Sequence, residues 1–195
     1  VHAHLPRIVT RQVNALEFAA SEKMSLEAAA RRLRYRALEE MADKTVCRWI
    51  LTAHTLDDSA ETVWMRMQNG GPWYEWTGIP AQRGRILRPL LNVSRDELRQ
   101  WVANQGILFR EDETNIDRRF QRNQVRDEMA SRPDTWNNQR KQELAQLGEM
   151  AARAVELSRR LARVLPLRIL DTQRPRVIGL AIDAIFIYFK GLKFA

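Results

Sequence analysis

A short stretch of the chain concentrates three carboxylates and one imidazole, in the order His54, Asp57, Asp58 and Glu61. Residues three or four positions apart lie on one face of a helix, so the three carboxylates can converge with His54 at the helix mouth. Hard oxygen ligands of this kind suit Mg2+ that is held partly by substrate phosphates. Alternatively, one carboxylate could act as a general base toward an amine nucleophile. A purely structural reading, in which acidic residues favour a helix N-terminus, accounts for only some of these residues.

A second group of charged residues lies between Arg88 and Arg126. Within it, an acidic turn that contains Asp112 and Asn115 precedes an arginine-rich helix. On that helix Arg122 and Arg126 are one turn apart, so they can present two guanidiniums to one anion. The acidic turn could form a structural salt bridge with Arg122, or the opposite charges could bind a zwitterion such as an amino acid. Spacing alone leaves both readings open.

The elements around these two groups alternate between strand and helix. Residues 46–52 (VCRWILT) form a short apolar run typical of a buried parallel strand, and a helix is expected at 57–67. Upstream, the loose alternation of residues 5–13 predicts a strand, and the apolar stripe of residues 25–42 predicts a helix capped by Ser25. This order of elements predicts an α/β fold with a parallel sheet.

Glycines and prolines mark residues 69–85 as a loop, in which Trp73, Tyr74 and Trp76 are expected to pack onto the domain rather than stack on a base. Further helices are predicted at residues 94–105, 118–129 and 138–164.

The composition fits a globular protein whose basic surface either serves solubility or binds a polyanionic partner. Of 195 residues, 45% are hydrophobic and the net charge is +8, most of it from arginine, whose guanidinium pairs well with phosphate. No apolar run is long enough to cross a bilayer, and no secretory signal is visible. The single cysteine, Cys47, excludes an internal disulfide and a multi-cysteine zinc site. We therefore expect a cytoplasmic protein without a membrane partner.

Four sequence blocks match one enzyme family. AHTLDDSAET (53–62) resembles the A-H-x-x-D-D-x-x-E-T block of the N-type PP-loop ATP pyrophosphatases, and AARRLRY (29–35) resembles the A-R-x-x-R-Y helix of tRNA(Ile)-lysidine synthetases. RPLL (88–91), followed by Arg95 and Glu97, resembles their R-P-L-L-x-x-x-R-x-E segment. EDETNIDRRFQRNQVR (111–126) resembles their E-D-x-[ST]-N-x-D-x-x-[FY]-x-R-N-x-x-R block. The first block indicates only the superfamily, whereas the four in order are specific to lysidine synthetases.

This resemblance implies a Rossmann-like sheet of the adenine nucleotide alpha hydrolase type, followed by a helical C-terminal extension. It implies ATP and Mg2+ as cofactors, and free L-lysine and tRNA(Ile) with a CAU anticodon as substrates. The implied reaction is that of a ligase that forms a C–N bond. ATP adenylates the C2 oxygen of the wobble cytidine, and the side-chain amine of lysine then attacks C2 and expels AMP. The resemblance is also compatible with a homodimer.

The resemblance further implies roles for individual residues. The catalytic residues would be His54, Asp57, Asp58, Glu61 and Arg126, with Asp57 and Asp58 as the Mg2+ ligands. ATP and phosphate would be bound by Arg31, Arg34, Arg88 and Arg122. The lysine or the tRNA would be bound by Asp112, Asn115 and Asn123.

Two departures from the family pattern shape the remaining expectations. The S-G-G-x-D-S loop that cradles pyrophosphate does not occur in these residues, so we expect an N-terminally truncated catalytic domain at residues 1–132 that shows no ATP–pyrophosphate exchange alone. Residues 133–195 would be a helical extension or linker. In addition, NGGPWYEWTG (69–78) is bulkier than the usual glycine-rich loop.

Two alternative functions remain. The first is another PP-loop tRNA-modifying enzyme, such as a thiolase, for which Cys47 in a predicted buried strand is a poor sulfur carrier. The second is a non-catalytic RNA-binding fragment that keeps the basic surface.

Overall fold

A computed structural model describes residues 8–108 and 121–164 of the chain. In chain order the elements are α1 (Ala15–Ser21), α2 (Leu26–Lys44), β1 (Ile50–Leu51), α3 (Leu56–Gln68), β2 (Gln82–Arg83), β3 (Ile86–Leu87), α4 (Arg95–Asn104), α5 (Gln121–Ser131) and α6 (Asn138–Val164). A 3-10 turn, Trp73–Glu75, lies between α3 and β2. The described residues fall into two compact units.

The first unit comprises the described residues up to Thr52 together with residues 82–87, and it contains the sheet. β1 pairs with β3 in parallel, with Ile50 opposite Ile86, and β2 pairs with β3 in an antiparallel manner. The antiparallel pair is a hairpin, which Gly84 allows because its φ of 57° is costly for other residues. Ile50 and Ile86 pack with Ala42 of α2 into a small core.

The second unit comprises residues 53–81 and the described residues from Arg88 onward. Helix α3 packs against α5 and α6 here, and it contributes Ala60 and Val63 to the core. The partners of these two residues in the core are Val125, Met129, Trp136 and Leu144. Trp64 meets Trp136 edge to face, with ring centroids 4.9 Å apart. This packing holds the helix that carries the carboxylates against two other helices.

Most predicted helices are confirmed, and their ends follow the expected capping chemistry. The Ser25 hydroxyl accepts the Ala28 amide at 3.2 Å at the start of α2, and Ser94 caps α4 in the same way through the Glu97 amide. Gly106, with a φ of 66°, ends the last turn of α4. The α/β class is confirmed, although the described sheet is mixed rather than wholly parallel.

In the described residues, one strand prediction was wrong and another was too long. Residues 8–13 form no strand, and Ile8 and Val9 are exposed, because their loose alternation has no neighbouring strand to pair with there. Helix α1 follows instead. β1 covers only Ile50 and Leu51 of the predicted run, so Cys47 lies before the strand and is exposed rather than buried.

Some predictions fall outside the described residues: the acidic turn with Asp112 and Asn115, and the chain beyond Val164. The domain boundary proposed between residues 132 and 133 stays a prediction, although α6 belongs to the same compact unit as α3. None of the described helices combines the length and apolar character needed to cross a membrane.

Candidate active site

The site begins where α3 starts, just after the half-buried His54. Thr55 takes the N-cap position with an extended φ of −104°. Its backbone amide and its hydroxyl donate to Asp58 Oδ2 at 2.8 and 3.0 Å. One oxygen of Asp58 is therefore used to cap the helix.

Glu61 lies one turn further along α3, and its side chain is only 2% exposed. Three guanidiniums surround its carboxylate. Arg126 Nε donates to Oε1 at 2.9 Å, Arg122 Nε donates to Oε2 at 2.9 Å, and Arg95 Nη2 donates to Oε1 at 3.1 Å. A buried carboxylate survives only with such compensation, so Glu61 acts as the anionic centre around which the arginines are arranged.

Asp58 shares two of these arginines through its other oxygen. Arg122 Nη2 and Arg126 Nη2 donate to Asp58 Oδ1 at 3.0 and 3.3 Å. Each guanidinium of α5 therefore bridges two carboxylates of α3, with its Nε on Glu61 and an Nη on Asp58. This fixed, forked pairing sets the orientation of both planar groups.

Asp57 faces different partners. Lys141 of α6 lies 2.7 Å from Oδ1, and the backbone amide of Arg95 donates to Oδ2 at 2.7 Å. The Asp57 carboxylate thus satisfies an otherwise orphaned amide in the first turn of α4, where a negative charge is also favoured by the helix dipole. A single side chain of α3 thereby joins α4 and α6.

The surroundings of these acids shift their ionisation. Burial by itself would raise the pKa of Asp57, but the hydrogen bond and charge of Lys141 and the amide of Arg95 outweigh it, so the pKa is lowered. Burial would also raise the pKa of Asp58, but the hydrogen bond from the Thr55 amide and the charges of Arg122 and Arg95 outweigh it, so this pKa is lowered too. Both carboxylates are therefore ionised at neutral pH.

The seven residues Asp57, Asp58, Glu61, Arg95, Arg122, Arg126 and Lys141 are called the carboxylate–arginine cluster below. Its acids lie inside and its arginines outside: the Glu61 side chain is 2% exposed, whereas those of Arg122 and Arg126 are 24% and 26% exposed. Four cations face three carboxylates. Among the described residues of the cluster, positive charge therefore exceeds negative charge by one, and the partly exposed arginines suit an anion such as a phosphate.

The cluster also bears on the predicted Mg2+ site. Each oxygen of Asp57, Asp58 and Glu61 already accepts a hydrogen bond or an ion pair. No group of three or more acidic, histidine or cysteine side chains in residues 8–108 and 121–164 is arranged to hold a metal. The prediction that Asp57 and Asp58 bind Mg2+ therefore stays a prediction. The contacts of these carboxylates do not favour it, because their oxygens are already paired.

The other predicted site residues lie in varied places. Arg88 is only 4% exposed and donates from Nη1 to the Pro80 carbonyl at 2.8 Å, so it braces a turn. Asn123 is buried on α5. Arg31 and Arg34 belong to the first unit, where their guanidiniums lie 5.4 and 5.9 Å from the ring centre of Tyr35.

Two members of the cluster were missed as site residues by sequence reasoning. Arg95 stands in the R-P-L-L-x-x-x-R-x-E segment, so the motif itself was the available signal. Lys141 lies in a long helix dotted with charges, where nothing marks it out from its neighbours. Only the packing of α6 on α3 brings it to Asp57.

Comparison with known proteins agrees with the motif blocks. A family described as a PP-loop domain matches residues 3–132. A tRNA(Ile)-lysidine synthase of Treponema denticola is 43% identical over 108 residues, which are 55% of this chain and 24% of that protein. The tRNA(Ile)-lysidine synthase of Deinococcus radiodurans is 40% identical over 175 residues, 89% of this chain and 29% of that protein. The chain therefore spans less than a third of the length of these two relatives.

Proposed function

Because the chain belongs to the PP-loop domain family, we propose that it forms part of an ATP-dependent ligase that attaches lysine to the wobble cytidine of tRNA(Ile) with a CAU anticodon. The observation that carries the proposal is the carboxylate–arginine cluster. Six of its seven residues come from three of the motif blocks, and Lys141 comes from α6; they meet in one site whose arginines lie on the outside.

The proposed reaction has two steps. The C2 oxygen of the cytidine attacks the α-phosphorus of ATP, the bond to the β-phosphate oxygen breaks, and pyrophosphate leaves. The side-chain amine of lysine then attacks C2, the C2–O bond breaks, and AMP leaves with the electron pair. The attacking nitrogen must lose a proton. Both steps move negative charge onto phosphate oxygens, so fixed cations close to those oxygens lower the barrier.

We assign to Arg122 and Arg126 the stabilisation of the negative charge that develops on these phosphate oxygens. Their Nε and one Nη bind Glu61 and Asp58, and their side chains are 24% and 26% exposed, so a phosphate can approach both guanidiniums from the solvent side. Asp58 and Glu61 are then positioning residues for these guanidiniums. His54, at the mouth of α3, is the proposed acid–base group. The proposed role of Asp57 is structural, because its carboxylate binds the first amide of α4 and the Lys141 ammonium.

The other assignments are proposals of the same kind. ATP phosphates would be contacted by Arg31 and Arg34, and lysine or tRNA by Asp112, Asn115 and Asn123. Mg2+ would arrive with the ATP phosphates. To reach Asp57 or Asp58 it would have to displace Lys141 or a guanidinium.

The test is a chimera of the Deinococcus radiodurans enzyme in which the 175 aligned residues are replaced by those of this chain. We expect ATP-dependent incorporation of labelled lysine into tRNA(Ile) with a CAU anticodon, together with AMP release, and none into a transcript with a GAU anticodon. A chimera that melts cooperatively but incorporates no lysine would refute the proposal. Sulfur incorporation would favour the thiolase alternative, and RNA binding without AMP release would favour the non-catalytic one.

Residue assignments are tested in the same chimera. Arg126→Gln should lower the rate of lysine incorporation by about 100-fold or more, as the loss of one donor to a developing oxyanion does in other enzymes. The matched control is Arg153→Gln on α6, whose guanidinium pairs only with the exposed Glu149 in the described structure and should leave the rate unchanged. Equal rates for the two variants would remove Arg126 from the catalytic set.

A further inference from the structure

A second recess in the same compact unit lies at the C-terminal end of α3, away from the carboxylate–arginine cluster. Its volume is about 440 Å3, in the range of sites that bind a nucleotide-sized ligand. Its walls come from α3, from the 3-10 turn with the residues around it, and from α6. The side chains used below are Arg66, Tyr74, Glu75 and Arg159. This recess is called the α3–α6 groove.

The aromatic wall of the groove is held in place by local structure. Tyr74 lies within the 3-10 turn and meets Trp73 edge to face, with ring centroids 6.0 Å apart. The Glu75 amide donates to the Pro72 carbonyl at 2.8 Å, which closes the turn. Trp76 has a different role, because it packs toward the core and its Nε1 donates to the Gly71 carbonyl. Tyr74 therefore presents a half-buried ring that lines the groove instead of filling the core.

The charged walls carry an excess of positive charge. Arg66 is anchored by hydrogen bonds from Nη1 to the Thr77 carbonyl and hydroxyl and to the Glu75 carbonyl, none of which neutralises its charge. Arg159 is exposed and makes no ion pair with any residue in the described ranges, whereas its neighbour Arg160 pairs with Glu156 at 2.9 Å. The described lining of the groove thus contains two guanidiniums and one carboxylate, that of Glu75, which lies against Gly71.

An aromatic ring beside uncompensated guanidiniums is the chemistry that binds a nucleotide of a single strand. The ring offers a stacking surface to a base, and the cations follow the phosphate. Arg66 lies eight positions after Asp58 on α3, which corresponds to about 12 Å along the helix.

We propose that the α3–α6 groove binds one nucleotide of single-stranded RNA, with its base on Tyr74 and its phosphate between Arg66 and Arg159. This inference rests on the proposed function in one respect, since the strand would be a loop of the tRNA substrate. The same chemistry would also accept a free mononucleotide, and the experiment separates the two sources.

The experiment measures binding of the full 195-residue chain to a fluorescein-labelled RNA stem–loop by anisotropy, with a blunt RNA duplex of equal nucleotide number as comparison. Stacking of a base on an aromatic ring contributes about 1–3 kcal/mol, so Tyr74→Ala should weaken stem–loop binding about 5- to 150-fold. Tyr74→Phe keeps the ring and should bind within about twofold of wild type. Thermal melting of each variant separates a lost contact from a lost fold.

The charge is tested with a matched pair of substitutions on α6. Arg159→Gln should reduce the slope of log K against log salt by about 0.7, as expected for the loss of one phosphate contact to a single strand. Arg153→Gln removes the same charge from the same helix, but from a guanidinium paired with Glu149, and should leave the slope unchanged.

Several outcomes would overturn the inference. Equal stem–loop affinity for Tyr74→Ala and Tyr74→Phe would exclude stacking, and equal salt slopes for the two α6 variants would exclude the phosphate contact. Binding of AMP with the affinity of the stem–loop would make the site one for free mononucleotides. Failure of the proposed function is recognised separately: the chimera would then incorporate no lysine, while Tyr74→Ala would still weaken stem–loop binding.

Discussion

Replacing Glu61 with glutamine removes the anionic centre of the carboxylate–arginine cluster while keeping the shape of the side chain. The wild-type carboxylate accepts from Arg95, Arg122 and Arg126 at 2.9–3.1 Å. In Glu61→Gln the three guanidiniums lose this charge, and the new amide N–H2 points toward groups that can only donate. Asp58 remains as a second acceptor for Arg122 and Arg126.

The expected cost follows from burial. Removing one partner of a buried ion pair costs about 3–5 kcal/mol, because the other charge is left uncompensated. The Glu61 side chain is 2% exposed, but those of Arg95, Arg122 and Arg126 are 33%, 24% and 26% exposed, so water can compensate them in part. We therefore expect the lower end of that range, a loss of about 3 kcal/mol in the free energy of unfolding.

Urea denaturation followed by tryptophan fluorescence would measure this loss. With a slope of about 1–3 kcal/mol per molar urea, the midpoint should fall by about 1–3 M. The control is Glu149→Gln, which breaks an exposed helix pair with Arg153 and should cost at most about 0.5 kcal/mol. A loss below about 1 kcal/mol for Glu61→Gln would refute the reasoning, since the carboxylate could not then be the buried counter-charge of three arginines.

Two further predictions test the charges and the packing of the same unit. The pKa values of Asp57 and Asp58 are lowered in the folded chain, so their contribution to stability is present above their unfolded pKa of about 3.9 and is lost as pH falls through the folded values. The urea midpoint should therefore decrease when the pH is lowered below about 4, and it should decrease less steeply in Asp57→Asn than in the wild type. Parallel curves for the two proteins would contradict the assignment. A Cβ on Gly148 of α6 would lie 2.6 Å from the Gly78 amide nitrogen and 2.6 Å from Val63 Cγ2. Gly148→Ala should therefore lower the free energy of unfolding by about 1–3 kcal/mol, despite the better helix propensity of alanine. The control is Gly71→Ala, whose Cβ would meet the flexible Glu75 side chain, and a stabilised Gly148→Ala would show that the two backbones separate easily.

The helices were the part of the fold that local sequence could predict. Their caps and apolar stripes are decided within a few residues of each end, as at Ser25 and Ser94. The strands were harder, because a strand exists only with a partner. Residues 8–13 show the alternation without a neighbouring strand in the described residues, and β1 keeps only the two residues that face β3.

In the candidate site, too, the sequence predicted the arrangement of residues within one helix but not the contacts between helices. Asp57, Asp58 and Glu61 could be grouped from helical spacing, and so could Arg122 and Arg126, because each set lies on one helix. The spacing did not show that the two sets would bind each other, since Glu61 and Arg122 are 61 positions apart. For the same reason, the sequence could not predict that Lys141 belongs to the site. Its contact with Asp57 depends on how α6 crosses α3, which periodicity does not encode.

The distance along the chain between Asp57 and Lys141 has a consequence for synthesis. The two residues are 84 positions apart (141 − 57) and lie on helices that must dock before their charges meet. At a synthesis rate of about 5–20 residues per second, the acidic start of α3 precedes Lys141 out of the ribosome by about 4–17 s. During that interval Asp57 lacks its cation, and so the nascent chain cannot complete the carboxylate–arginine cluster until the last described helix has been made.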